Sequence, residues 1–471
     1  MKKMFFLFVA VLASNFSISQ VKTSSEFDIT SSKPYPVVNG TKKYFSKDGE
    51  VLAVKMNGDG FLLQRFSGDN LNEVKRKEEG ELPKGFLLEA CIEMNENFYM
   101  FYSVWDKGEK NEQLFVQEID FEGTSFKGKP KLVIKVDGKV SGFRAGSVMG
   151  FAVATFDKFD FFTNYDESKL IVQYRKVPEN KRDSENKDII GMYVFDNQMN
   201  ELWHDDVTMP YTEAKMNNIG YAINSQGDGL ILAEVFKEDA KKRFDKEDRP
   251  NFHYEILRVD SKTRKITKNK LDVAGIYIKD VGFFEGANKQ VILAGFYGKS
   301  VKAGADGIFS FKIDDDGDVI SESKYEIPLE VMKMYTSDRA QKKMDKKDEK
   351  GDLSMANMVL RKIIFDEAGS LMFVGERYYS VTTYNAQSKT TTTTYYYQDI
   401  LTAKIDENDE LAWMTVLPKR QAGGAYRGGM GFKHMSSKNY QYFIFMDNVK
   451  NMDLELNEVP ATHADGRGGY M

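Results

Sequence analysis

The sequence predicts an all-β repeat fold, and three observations carry that prediction. First, a two-part pattern recurs six times: a mostly apolar run, a loop, and a second apolar run that ends in an aspartate and a short turn. The first runs are 51–56, 98–105, 170–177, 230–236, 291–297 and 371–379; the aspartates are Asp69, Asp120, Asp196, Asp260, Asp314 and Asp406. Second, 13% aromatic residues and 37 glycines suit strands joined by tight turns. Third, stretches such as 114–116, 291–294 and 442–446 are apolar at consecutive positions, whereas a strand with one wet face would alternate. Both faces of these strands must therefore be covered. Four-stranded antiparallel sheets stacked face to face around an axis supply that cover, so the predicted architecture is a β-propeller with six recognisable blades and an incomplete seventh.

The first nineteen residues stand apart from the repeat. Lys2 and Lys3 precede an apolar stretch, 4–13, that is too short to span a bilayer, and Ser17 and Ser19 lie three and one residues before Gln20. This pattern predicts a signal peptide cleaved before Gln20 and export to the periplasm, the outer membrane or beyond. Residues 20–40 read as an N-terminal extension and 41–471 as the propeller. No cysteine follows the apolar stretch, so a lipid anchor is not expected, and no other run is long enough for a membrane helix. The formal charge is −5, and removing Lys2 and Lys3 with residues 1–19 makes it −7, a balance that points away from nucleic acid and anionic membranes. Cys91 is the single cysteine, so no intramolecular disulfide can form; in its apolar run it reads as a small buried hydrophobe.

Each unit resolves into four strands, a to d. A short strand and turn precede each first run, as at 159–162, 219–223 and 363–365; a polar turn and fourth strand follow each aspartate, as at 201–204 and 410–416. Asn, Asp and Gly tolerate the backbone angles of tight hairpins, and a carboxylate at a strand end can accept from turn amides. The recurring aspartates therefore read as structural devices, not as six catalytic acids.

The aspartates are 51, 76, 64, 54 and 92 residues apart, whereas a bare blade needs about 40–50. The surplus falls in b–c loops (106–112, 178–188, 237–251 and 380–396) and in d–a connections (328–358 and 418–429). In an up-and-down sheet both kinds of loop leave from the same end. The insertions thus gather on one face of the disc, which is the expected binding face. A seventh unit starts at 432–434 and 440–447 but lacks strands c and d; residues 26–30 could donate one strand to close the ring. Six blades plus a partial one, a seven-bladed ring and an incomplete C-terminus all remain open at this point.

From 41 to 447 the units resemble β-propeller repeats in general, without the Gly-His and Trp-Asp pairs of WD40 repeats or the Gly-Gly pair of kelch repeats. The signal peptide with Lys- and Asn-rich loops is similar to uncharacterised exported proteins of the Bacteroidetes. The resemblance implies a fold and assigns no functional residue.

Candidate sites each have a plainer reading. Asp314, Asp315, Asp316 and Asp318 cluster as a calcium loop would, but the alternating spacing and the closing Glu are missing, and a hairpin turn is favoured. The mixed charges of 333–350 read as a solvated insertion or a short helix over the binding face. Tyr395, Tyr396 and Tyr397, after five threonines, could stack on a sugar or peptide; pairing across a long hairpin is the simpler account. The Gly-rich connection 419–429 is the most site-like loop. There Arg420 and Arg427 can grip an anionic group and Tyr426 offers a stacking face. The four histidines form no metal-ligand pair, and no nucleophile elbow is present, so neither a metal nor a cofactor is expected. The sequence therefore predicts an exported binding or interaction module with a protein or carbohydrate ligand. A propeller glycosidase or lyase, an envelope scaffold and a calcium-stabilised propeller stand as alternatives.

Overall fold

The computed structural model describes residues 42–57, 60–80, 82–141, 158–180, 182–237, 250–273, 275–314, 318–366, 368–424, 430–436 and 440–464. The predicted signal peptide and N-terminal extension, together with Tyr426 and Arg427, lie outside the described residues. Six four-stranded antiparallel blades form a propeller ring, each with its strands in the order a-b-c-d. They span 42–79, 87–137, 160–212, 216–271, 277–326 and 358–417. The a strands of blades three to six touch one another in succession and so line the axis.

The double-sided burial expected of strands b and c is present in the six blades but not at 442–446, where Tyr442, Ile444 and Met446 are exposed because no further blade covers that hairpin among the described residues. Strand b of blade four, Gly229–Phe236, and strand b of blade five, Val291–Gly298, are buried at every residue. Alternate side chains serve different neighbours. Ile231, Ala233 and Val235 pack toward blade three, while Leu230, Leu232 and Phe236 pack toward blade five. Similar clusters join blades one to two, two to three and five to six. Each large apolar residue buried this way contributes roughly 1.5–3 kcal/mol, and the sum over blade interfaces holds a ring that has no disulfide.

The aspartates act as turn devices. Asp196 Oδ1 accepts from the amides of Gln198 and Asn200, both at 2.9 Å, and Asp406 Oδ1 accepts from Asn408 and Glu410, both at 2.9 Å. Asp120, Asp260 and Asp314 do the same in their turns. In blade one the role passes to Asn70, whose Oδ1 accepts from Asn72 N at 2.9 Å. Backbone donors hold the Asp260 carboxyl below its usual range. For Asp196, burial pushes upward but the Asn200 and Gln198 donors outweigh it, and the net shift is downward.

The insertions take defined forms. The b–c hairpin of blade six extends strands b and c to Leu371–Asn385 and Thr390–Ile405. The d–a connection after blade five folds into helices α1 (Leu329–Lys333) and α2 (Asp338–Asp348). Helix α1 buries Val331 and Met332 against the interface of blades five and six, while α2 buries no residue, as its mixed charge suggested. The seventh unit is a two-stranded hairpin, Lys433–Ser436 with Gln441–Ile444, and Phe432, Phe443 and Phe445 pack it onto blade six.

Candidate binding cleft on the insertion-bearing face

The two mouths of the axis differ. On the face of the a–b turns, Tyr165 of blade three reaches Phe365 of blade six, edge to face at 6.2 Å, and Phe365 packs on Phe284 of blade five at 4.7 Å. Buried Glu285 knits the same region, accepting from Ser225 N at 2.6 Å, Ser225 Oγ at 2.8 Å and Tyr165 N at 3.3 Å. This mouth is bridged.

The other face carries a cleft of about 870 Å³ between blades three, four and five. Its walls come from the first residues of strand a in blade four, Met216–Ile223, and in blade five, Tyr277–Glu285. The ends of strands b and the starts of strands c add Arg175, Asp188, Glu234 and Tyr254. All these positions adjoin b–c loops or d–a connections, so the cleft opens where the insertions gather.

β-Bulges shape the walls. Strand a of blade four is bulged between Asn218 and Gly220, and strand a of blade five between Ile278 and Asp280; blades two and six carry the same irregularity between Leu88 and Ala90 and between Leu360 and Lys362. A bulge turns one extra side chain out of register and bends the strand, a device often found at sites. In blade five it works only because strand b has Gly295 opposite, where a Cβ would lie 2.1 Å from the Asp280 carbonyl oxygen.

The charged groups of the cleft each have at least one protein partner. The Arg175 guanidinium pairs with Asp188 and, at 3.0 Å, with Glu213. Glu234, nearly fully buried, accepts from Asn217 Nδ2 at 3.1 Å. Lys279 Nζ donates to the carbonyls of Ser300 and Val301 at 2.8 and 2.9 Å. The two oxygens of Asp280 accept from Leu360 N at 2.8 Å and Val281 N at 3.0 Å, which ties blade five to blade six. Burial raises the Asp280 carboxyl despite these donors, and it raises Glu213 despite Arg175. Tyr221 is raised by burial first and then by the nearby carboxylates Asp160 and Asp188. The amides of Asn218 and Gln173 lie by its hydroxyl, while Asn218 Oδ1 and Gln173 Oε1 are buried without a hydrogen-bond partner. A smaller cavity of about 350 Å³ between blades two and three is lined by Glu89, Glu93 and Asp160.

Of the sequence-predicted residues, Tyr395, Tyr396, Tyr397 and Arg420 are described, and they lie on blade six, on the same face. Tyr395, Tyr396 and Tyr397 are half-buried and pair across the hairpin with Ser380, Tyr379 and Tyr378. Tyr396 stacks on Tyr379 at 4.7 Å and 11°. The Gly-rich connection docks on the same strand as Gln421–Gly423, opposite Tyr397, Tyr396 and Tyr395. The structure thus brings the two candidate elements together, with the tyrosines engaged in strand pairing. The Arg420 side chain is exposed at the start of this short strand. Just before it, the fully buried Lys419 donates to Glu376 Oε1 at 2.7 Å, and Arg361 holds Glu376 Oε2 at 2.8 Å. Among the described residues no group of acids, histidines and cysteines is arranged to hold a metal, and no helix is long and apolar enough to cross a membrane.

Sequence reasoning missed the cleft. The apolar pattern starts strand a of blade four at 219, whereas the strand starts at Met216 and includes Asn217 and Asn218. The available signal was this polar pair directly before an apolar strand, repeated as Lys279-Asp280 in blade five.

No family model matches the chain, and no curated protein matches it. Similar solved structures include an ACO/RPE65 chimera, with 9% identity over 78% of this chain and 69% of the other at a TM-score of 0.38. The Dos1 propeller shares 9% identity over 59% of this chain and 58% of its own, at 0.32. A thermostable family-43 glycoside hydrolase shares 12% over 62% and 97%, at 0.29.

Proposed function

We propose that the chain is an exported binding module whose ligand enters the cleft between blades three, four and five, with blade six forming part of the rim. The observation that carries this reading is the asymmetry of the ring: one mouth is bridged by Tyr165, Phe365 and Glu285, and the other holds a polar, aromatic-lined cleft. Concave sites with a few convergent polar groups are the usual seats of ligands. The propeller-enzyme reading also requires acids in one pocket, and Asp188, Glu234 and Asp280 do line this one. Each, however, is committed to an ion pair, an amide or backbone donors. Binding is the reading carried forward, because it asks only for the concave shape and polar lining of the cleft. The signal-peptide pattern of residues 1–19 supports export, and the ligand classes to screen are carbohydrates and peptides.

The test is a thermal-shift screen of the mature chain against both classes, with hits measured on Asn218→Ala and Tyr277→Ala. Binding should weaken roughly tenfold, the cost of one lost hydrogen bond or ring contact. A rim contribution from Arg420 and Arg427 predicts weaker binding by the double alanine variant at unchanged thermal stability. Hits that bind all these variants as well as wild type would refute the placement of the site.

A further inference from the structure

One sector of the ring has no partner among the described residues. Apolar clusters join each blade to the next from one to six, and Phe432, Phe443 and Phe445 join the seventh hairpin to blade six. No such cluster joins the hairpin to blade one. We infer that residues 26–30, from the chain's own N-terminal extension, close this sector by adding a strand to the outer edge of the hairpin.

The hairpin supplies the template. In blades one to six, strand b is paired on both edges, with strand a on one side and strand c on the other. Gln441–Ile444 pairs only with Lys433–Ser436, so its outer edge is open among the described residues. An unpaired edge of this kind recruits a further strand through its free backbone groups. The two faces of the hairpin differ as well. Phe443 packs on blade six, while Tyr442, Ile444 and Met435, which lies opposite Tyr442, are exposed. An apolar face beside an open edge is the surface that an added strand and the next blade would bury.

Blade one supplies the opposite wall. Its Leu52, Val54, Phe61 and Leu63 face blade two. The alternate residues Ala53, Leu62 and Gln64 lie on its other face and are no more than 3% exposed, although neither Ala53 nor Leu62 belongs to a cluster with another blade. Gln64 Oε1 is buried without a hydrogen-bond partner among the described residues. A sunken face with an unmatched acceptor calls for a covering segment that brings donors.

The sequence supplies the strand. In Glu26-Phe27-Asp28-Ile29-Thr30 the apolar side chains alternate, so Phe27 and Ile29 share one face and can continue the row of Tyr442 and Ile444 toward blade one. Eleven residues, 31–41, link this segment to strand a of blade one at Lys42. Fully extended, they reach about 36–40 Å. The path from the hairpin edge to the axis is shorter, about 20 Å for one strand length and about 15 Å across a blade. The other end of the chain is a poorer source: 465–471 holds Gly466, Gly468 and Gly469 and no alternating apolar pair.

The test is disulfide trapping in the whole protein. Cys91→Ala removes the one native thiol. Phe27→Cys and Ile29→Cys are each combined with Tyr442→Cys and with Ile444→Cys, and Asp28→Cys with the same two is the opposite-face control. Under mild oxidation the inference expects an intramolecular cross-link in at least one Phe27→Cys or Ile29→Cys combination and none with Asp28→Cys. Cross-links that form only between molecules would give the edge to a second copy and overturn the inference. Absence of any cross-link, or equal cross-linking by Asp28→Cys, would overturn it too. Hydrogen–deuterium exchange gives a readout without oxidation: the Phe27→Asp, Ile29→Asp double variant should speed exchange at 441–444 by about tenfold or more and lower the melting temperature. Exchange at 441–444 equal to that of wild type would show that this segment does not cover the edge.

Discussion

Glu89 is the bulged residue of strand a in blade two. Ser103 Oγ donates to its Oε1 at 2.5 Å, and its Oε2 is buried without a partner. Burial pushes its carboxyl up to about 7, against the pull of Ser103 and Lys158. The folded chain therefore keeps this proton to higher pH than the unfolded chain does. Its contribution to stability is full below the ordinary glutamate range and is lost as pH rises through about 7. Stability measured by urea unfolding should fall between about pH 4.5 and 7 by up to about 3 kcal/mol from this group alone. Glu89→Gln should flatten that part of the profile and stabilise the chain at pH 8; an unchanged profile would contradict the assignment. Cys91, two residues on, is partly buried against the interface of blades one and two, not fully buried as its apolar run suggested, and burial still raises its thiol to about 12. The packing of Cys91 was legible in part, because the apolar run around it marks a strand that faces a blade interface. Glu89 was not, because its burial depends on Ser103 fourteen residues away and on the bulge.

Among the elements, strands b and c were the most legible, since an apolar residue at nearly every position has few alternative explanations. The turns were legible too, because an aspartate accepting two amides is a local device that needs no tertiary information. The a strands were read only in part. Their first halves carry Asn217, Asn218, Lys279 and Asp280, which belong to the axis and not to a blade interface, so the apolar pattern stops short of them. The blade-six hairpin was recognised as a hairpin, but its anchor was not. Lys419, Glu376 and Arg361 lie 58 residues apart in sequence and meet only in the folded blade. Burial lowers the Lys419 ammonium while Glu376 holds it charged. Lys419→Met should destabilise the fold by about 3 kcal/mol, because it leaves buried Glu376 with Arg361 alone. It should also speed proteolysis near 420–424, where the connection docks on Tyr395–397. A variant with the wild-type urea midpoint would show that the pair contributes nothing.

For the whole molecule, counting surplus residues per unit located the insertion-bearing face before any contact was known, because up-and-down topology fixes which loops share an end. Loop length cannot say which sector of that face is concave. That depends on how the a strands of blades three to five bend at their bulges, and on Tyr165 and Phe365 meeting across the ring to bridge the far mouth. The central claim, a ligand cleft on the insertion-bearing face, is tested most directly by hydrogen–deuterium exchange of the protein with and without a bound ligand from the screen. The account predicts slowed exchange at 216–221 and 277–281, with the turns at 164–168 and 224–228 unchanged. Protection confined to those turns, on the bridged face, would contradict it.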